Sequence, residues 1–172
     1  MLVRHSDMVV INSAPTAGTL GLDTSSDLLL NNTLGTLDAI AADYALEAKN
    51  SGYYAYVHVV TSGSSKVIQY WLFYAYNNGP LNDHQGDIEV IELFLNSSTP
   101  QTLLCSQHFA GENAGWGDVG KVDNHPVVYV AQGSHANYFR PYQGKIGLEN
   151  DNVGGDGITV TFNASTLVML QN

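Results

Sequence analysis

The stretch that decides the fold is YWLFYAYNNGPLNDHQGDIEVIELFL, residues 70–95. Two runs rich in aromatic and β-branched residues flank a polar loop that contains glycine and proline. That pattern is typical of two strands joined by a long turn. The loop ends in His84, Asp87 and Glu89, so three side chains that can bind metal ions stand where a loop enters a strand.

Short strand-like segments continue on both sides of this stretch. YYAYVHVV (53–60) and KVIQYWLFYAY (66–76) flank the turn at 62–65 and predict a hairpin. Further strands are predicted at 87–95, 101–108, 125–133, 157–163 and 166–170. The glycine-rich segment GENAGWGDVGKVDN (111–124) is predicted to be a loop.

One segment before these strands has helical patterning. In GTLDAIAADYALEAKNSG (35–52), Thr36 is a candidate N-cap, Asp38 lies in the first turn and Gly52 ends the pattern. Upstream, the patterns predict a short strand at 8–11 and a loop at 13–32. The predicted fold is therefore mainly β: a single β-sandwich domain of antiparallel strands over residues 1–172, with one main helix near the N-terminus.

Charge and composition exclude several classes of function. With 6 Lys+Arg against 16 Asp+Glu, the chain has a formal net charge of -10, which argues against nucleic-acid binding. No apolar run reaches the ~18 residues of a membrane span, and MLVRHSDMVVINSAP is a poor signal peptide. Cys105 is the single cysteine, so no intrachain disulfide can form. The oligomeric state stays open.

The residues after the polar loop predict a cation site. Successive residues two apart share one face of a strand, so Asp87 and Glu89 point the same way, followed by Ile91, Leu93 and Leu95. Two ionised carboxylates side by side repel each other, and a cation between them removes the repulsion. Gly86 lets the chain turn so that His84 reaches the same point. Oxygen ligands favour Ca or Mg, and the imidazole leaves Mn or Zn open.

Other residues are predicted to complete this site. His135 also follows an apolar strand and is the predicted fourth metal ligand. His108, Asn78 and Asp83 are predicted either to bind the cation or to hold its ligands. Aromatic residues near the loop could offer stacking faces to a bound molecule: Tyr74, Tyr76, Trp116 and Tyr138.

Three sequence blocks resemble a known family. They are QYWLFYAYNNGP (69–80), HQGDIEVIELFL (84–95) and HPVVYVAQGSHANYF (125–139), in this order. Together they resemble the family named for vacuolar protein sorting-associated protein sixty-two, whose members carry similar aromatic, His-x-Gly-Asp-Trp-Glu and Gly-Ser-His-Ala motifs. The resemblance covers residues 54–142 and implies a vacuolar, membrane-peripheral or secreted location.

A more distant similarity is to the necrosis- and ethylene-inducing peptide-like proteins, which are cytolytic β-sandwiches. Their His-x-x-Asp-x-Glu motif, which surrounds a Ca or Mg ion, falls on His84, Asp87 and Glu89, and a further Asp of that site falls near Asn78. Those toxins bind sphingolipid sugar head groups of plant membranes. The similarity therefore implies a glycan or lipid head group as ligand. A Trp of their motif is Ile88 here, the Arg between their histidines is Gln85, their common disulfide cannot form, and an Asp of their site is replaced by Asn78, so the cytolytic activity is not carried over.

Three functions follow as hypotheses. The first is a binding module in which a divalent cation accepts hydroxyl groups of a glycan or lipid head group. The second is a metal-dependent hydrolase, with His108 or Glu89 as the base. The third is a structural role, in which the polar cluster only pins the 77–86 loop. The sequence does not name the metal or the ligand, and it leaves open whether the protein is an enzyme.

Overall fold

The computed structural model describes residues 2–4, 10–12, 28–79, 81–147 and 149–170. These residues form a mainly β structure with one helix near the N-terminus, as predicted. Three short strands come first: β1 (Leu2–Arg4), β2 (Val10–Asn12) and β3 (Leu28–Leu30), which form an antiparallel sheet in the order β2-β1-β3. The predicted loop at 13–32 is wrong at 28–30, while residues 13–27 lie outside the described residues.

The helix α1 (Leu37–Ser51) begins and ends where the sequence predicts. Thr36 caps it, because its side chain accepts a hydrogen bond from the Ala39 amide at 3.2 Å. The chain leaves the helix at Gly52, whose φ of 79° is readily adopted by glycine. Tyr44 in α1 donates a hydrogen bond to Gln85 Oε1 at 2.8 Å, which ties the helix to the strand that spans His84–Asn96.

Six strands form the main sheet, and five of them follow one another along the chain. They are β4 (Ala55–Ser62), β5 (Ser65–Asn77), β6 (His84–Asn96), β7 (Thr99–Gln107) and β8 (Ala110–Gly115). Six short strands follow: β9 (Lys121–Val122), β10 (His125–Pro126), β11 (Tyr129–Val130), β12 (Asn137–Tyr138), β13 (Lys145–Ile146) and β14 (Asp151–Asn152). The last strand, β15 (Leu167–Met169), pairs in parallel with β4, giving the sheet order β15-β4-β5-β6-β7-β8 with the other pairs antiparallel.

The hydrophobic core lies against one face of the main sheet. The predicted inward row is confirmed, because Leu93 is buried and Ile91 and Leu95 pack against it. Buried Leu103 of β7 and Val119 complete this cluster. The covering layer consists of loops and the short pairs β9–β10, β11–β12 and β13–β14, with its own cluster of Ala131, Ala136, Tyr138 and Val153. The two layers make the predicted β-sandwich.

Three strand predictions need correction. Residues 111–115 are part of the edge strand β8 and not of a loop, because their backbone completes a ladder with β7. The predicted strand at 125–133 is reduced to β10 and β11, since the Val127 amide bonds to Gly120 O instead of to a neighbouring strand. Residues 157–163 are not a strand, although apolar and polar residues alternate there, because their backbone joins no ladder of the main sheet.

Candidate cation and ligand site

A cavity of about 300 Å³ opens at the end of the β5–β6 hairpin. The ionisable side chains and the hydroxyl among its lining residues are those of His84, Asp87, Glu89, His108, Ser134 and Glu149. The hairpin supplies the first three, the β7–β8 turn supplies His108, and the covering layer supplies the last two. The cavity therefore lies between the sheet and the layer that covers it.

Asp87 is oriented by two neighbours. Its Oδ2 accepts hydrogen bonds from His135 Nδ1 at 2.9 Å and from Asn77 Nδ2 at 3.0 Å. Burial by itself raises the pKa of Asp87, but the hydrogen bond and charge of His135, with help from Asn77 and His84, bring that pKa below its ordinary value. Asp87 therefore carries a negative charge at neutral pH, and its second oxygen, Oδ1, is directed away from this anchoring pair.

The imidazole of His84 is fixed by the backbone. Its Nδ1 donates a hydrogen bond to the carbonyl oxygen of Asn82 at 2.7 Å. In the neutral ring, Nε2 then carries a lone pair, and it lies 3.7 Å from Asp87 Oδ1. A histidine whose other ring nitrogen bonds to a backbone carbonyl has the orientation usual for a metal ligand.

Glu89 is a buried carboxyl group. It is 5% exposed and accepts a hydrogen bond from the Ser106 hydroxyl. Burial raises the pKa of Glu89 to about 7; the Ser106 hydrogen bond opposes that rise and the charge of Asp87 adds to it. Burial and the nearby charge of Asp87 thus both favour the protonated form of Glu89.

A third carboxyl group, that of Asp151, holds the covering layer around the cavity. It is 1% exposed and accepts hydrogen bonds from Ser134 Oγ at 2.5 Å, Tyr138 OH at 2.6 Å and His108 Nε2 at 2.8 Å. Burial raises the pKa of Asp151, but these three hydrogen bonds outweigh it, so the pKa lies below its ordinary value. Sequence reasoning missed Asp151 as a site residue, because the two-residue strand β14 is too short to show a periodic pattern.

The backbone of the covering layer is clamped onto the hairpin turn. The Asn78 amide donates to Gly133 O at 3.0 Å, and Asn77 Nδ2 donates to Ser134 O at 3.3 Å. Gly133 has a φ of 87°, and a Cβ at this position would lie 2.4 Å from the Asn78 carbonyl oxygen. Only glycine permits this close approach of two backbones.

The structure brings some of the predicted site residues together and leaves others apart. His84, Asp87, Glu89 and His108 line the cavity, whereas His135 lies behind Asp87 and stacks on Tyr74 with ring centroids 3.9 Å apart. Asn78 and Asp83 are exposed and are not among the described lining residues. Within the described part of the chain, no three His, Cys, Asp or Glu side chains form a ready-made metal-binding group. The roles predicted for His135, His108, Asn78 and Asp83 stay predictions.

The four predicted stacking residues have other contacts. Tyr76 stacks on Tyr44, and Tyr138 is buried with its hydroxyl on Asp151. Trp116 packs against the core cluster and lies beneath the ammonium group of Lys121. None of the four, Tyr74 included, is among the described residues that line the cavity. Their role as ligand-stacking residues stays a prediction.

Comparison with known proteins yields similarities of structure alone. No family model and no curated protein sequence matches the chain. One similar solved structure is described as a toxin fold for microbial attack and plant defense, with 18% identity, a TM-score of 0.45, and coverage of 52% of this chain and 46% of that chain. The structure of NLPPya in complex with glucosamine has 14% identity, a TM-score of 0.47, and coverage of 70% and 52%.

A third similar structure is Necrosis and Ethylene inducing Protein 2 from the causal agent of cocoa's Witches Broom disease, with 18% identity and a TM-score of 0.48. The match covers 70% of this chain and 52% of that chain, so the chain spans about half the length of these proteins. A necrosis- and ethylene-inducing protein is thus among the similar solved structures, whereas no match supports the vacuolar protein sorting resemblance. At these identities and TM-scores, the function has to be argued from the site.

None of the described helices is long and apolar enough to span a membrane. The secreted or vacuolar location implied by the resemblance stays a prediction.

Proposed function

We propose that this domain is a binding module that holds a divalent cation at the end of the β5–β6 hairpin and recognises a glycan or lipid head group through it. One observation carries the proposal. The His84 ring is oriented by Asn82 O so that Nε2 faces Asp87 Oδ1 across 3.7 Å, a gap wider than a hydrogen bond, at the mouth of a cavity that Glu89 also lines.

The donor atoms suit a divalent cation in their chemistry. Asp87 offers Oδ1 while Oδ2 is held by His135 and Asn77, and Glu89 offers a second carboxylate from the same strand face. None of the described lining residues is Lys or Arg, so no fixed positive charge competes for these carboxylates. Because the three side chains are not yet gathered around one point, binding requires a side-chain rotation of Glu89 or of the exposed end of His84.

The ligand is expected to be rich in hydroxyl groups. Three protein ligands leave several coordination positions of a Ca or Mg ion open, and these ions accept hydroxyl and water oxygens there. The cavity volume of about 300 Å³ is at the lower end of the range for small-molecule sites, which fits one sugar ring or one head group.

A structural role is the second candidate, and a specific observation favours it. Asn77, Asn78 and Gly79 are joined to the covering layer and to each other by hydrogen bonds that need no metal. In that case His84 and Asp87 form a long ion pair, and the polar side chains around the cavity only fix the 77–86 segment in place.

The first experiment measures cation binding. Isothermal titration of the metal-stripped protein with Ca, Mg, Mn and Zn is expected to give one site, and Asp87→Asn and Glu89→Gln are each expected to abolish it. Glu47→Gln, which removes an exposed carboxylate on the helix, is the matched control and is expected to bind like the parent.

The outcomes separate the three hypotheses. Absence of binding for every cation overturns the proposal and leaves the structural role. A cation that raises the melting temperature, together with glycan or head-group binding that a chelator removes, supports the binding module. Turnover of a glycan or ester substrate that is lost in Glu89→Gln assigns the hydrolase instead.

A further inference from the structure

The cavity has an apolar rim that the cation chemistry does not use. Phe109 at the tip of the β7–β8 turn is 83% exposed, Leu81 is 64% exposed and Ile88 is 61% exposed. All three line the same cavity, although they come from separate segments of the chain. Ile88 lies between Asp87 and Glu89 in β6, so its side chain projects from the opposite face of the strand, and the rim is formed by Phe109 and Leu81. Two large hydrophobic side chains left in water around one polar cleft are typical of a ligand-binding surface.

Phe109 is not placed there by the needs of the fold. Residues 108–109 connect β7 to β8 as a tight hairpin turn, in which His108 has a φ of 53°. The His108 ring turns inwards to Asp151, whereas the Phe109 ring stays in solvent. A polar residue would serve this turn at least as well, because an exposed phenyl ring contributes no buried area to the core.

The charge of the cleft restricts what can occupy it. The described lining residues include three carboxyl groups, Asp87, Glu89 and Glu149, and neither Lys nor Arg. An acidic ligand therefore meets a site without excess positive charge, and a neutral ligand is favoured.

From the rim and the charge together we infer that Phe109, with Leu81 at the same rim, is the apolar contact surface for a neutral saccharide. This inference rests on the proposed binding function and assigns its ligand class and its specificity residue. One face of a pyranose ring carries mainly C–H groups and lies on the phenyl ring. The hydroxyl groups at the ring edge then point towards the carboxylates of the cleft. An aromatic contact of this kind contributes orientation as well as buried apolar area.

The test is an array of immobilised neutral oligosaccharides and their uronic-acid counterparts, probed with the full chain in the presence of the cation found by titration. Phe109→Ala is expected to weaken binding about threefold to tenfold, as expected for one aromatic contact. Phe109→Trp is expected to retain binding, because it keeps an aromatic face. Ile158→Ala is the matched control, since Ile158 is 78% exposed and is not among the lining residues described.

Each outcome decides one point. Loss of binding in Asp87→Asn with full binding in Phe109→Ala overturns this inference and leaves the proposed function standing. No binding by the parent to any saccharide overturns the inference, and the cation titration then decides the proposed function separately. Equal binding of the uronic-acid forms contradicts the charge argument. Binding to phosphatidylcholine vesicles that alone depends on Phe109 assigns the rim to a lipid surface and also overturns the inference.

Discussion

Replacing Gly133 by alanine tests the close contact that shapes the cavity. The new Cβ would lie 2.4 Å from the Asn78 carbonyl oxygen, so one of the two backbones has to move. The φ of 87° adds about 1–2 kcal/mol of conformational strain for a residue with a side chain. Loss of the hydrogen bond from the Asn78 amide to Gly133 O adds about 1 kcal/mol. Together these two contributions lower the free energy of unfolding by roughly 2–3 kcal/mol, and the steric displacement adds to this.

Two other glycines separate the contributions. Gly144 has a φ of 81° with nothing within 4 Å of an added Cβ, so Gly144→Ala carries the strain alone. Gly120 has neither feature, and Gly120→Ala is expected to be near neutral. For a chain of 172 residues, Gly133→Ala should lower Tm by about 5–15 °C and Gly144→Ala by about 3–6 °C, as measured by circular dichroism. Equal shifts for these two variants would refute the clash between Gly133 and Asn78.

Three further predictions concern the helix cap and the two carboxylate networks. Thr36→Ala removes the helix cap and should lower the free energy of unfolding by about 1 kcal/mol in urea titrations, whereas the exposed Thr33→Ala should not. The pKa of Asp151 lies below its ordinary value of 3.8, so its stabilising contribution is complete above that value and is lost as pH falls through the lower, folded-state pKa. Asp151→Asn should therefore lower Tm at pH 7 and reduce the acid-induced fall below about pH 4, and an unchanged acid profile would contradict this. His135→Phe keeps an aromatic ring stacked on Tyr74 but removes the hydrogen bond to Asp87. Cation affinity measured by titration should fall about tenfold or more, because the residue that orients a metal ligand is lost. Unchanged affinity would show that His135 does not position Asp87.

Local patterning was sufficient for the helix and for the central hairpin. The cap at Thr36, the glycine after the last turn and the apolar alternation from Ile91 to Leu95 are short-range signals, because each depends on neighbours a few residues away. The same alternation correctly placed Asp87 and Glu89 on one face of β6, at a common cavity. The prediction failed at 157–163, where alternation is present but the backbone pairs with no strand of the main sheet.

The composition of the site depended on contacts between distant segments. Asp151 lies 43 residues from His108 and 17 from Ser134, and these three meet only because β14 and the 131–136 loop fold over the sheet end. Likewise, His135 is 48 residues from Asp87, and its hydrogen bond to that carboxylate follows from the clamp between Gly133 and Asn78. Which aromatic ring faces the cavity was also decided in this way. Tyr74, Tyr76 and Tyr138 make contacts elsewhere, whereas Phe109 in the β7–β8 turn is among the described residues that line the cavity. Side-chain periodicity reports which face a residue occupies on its own strand, whereas the partner across a cavity is set by the packing of layers that are far apart in the chain.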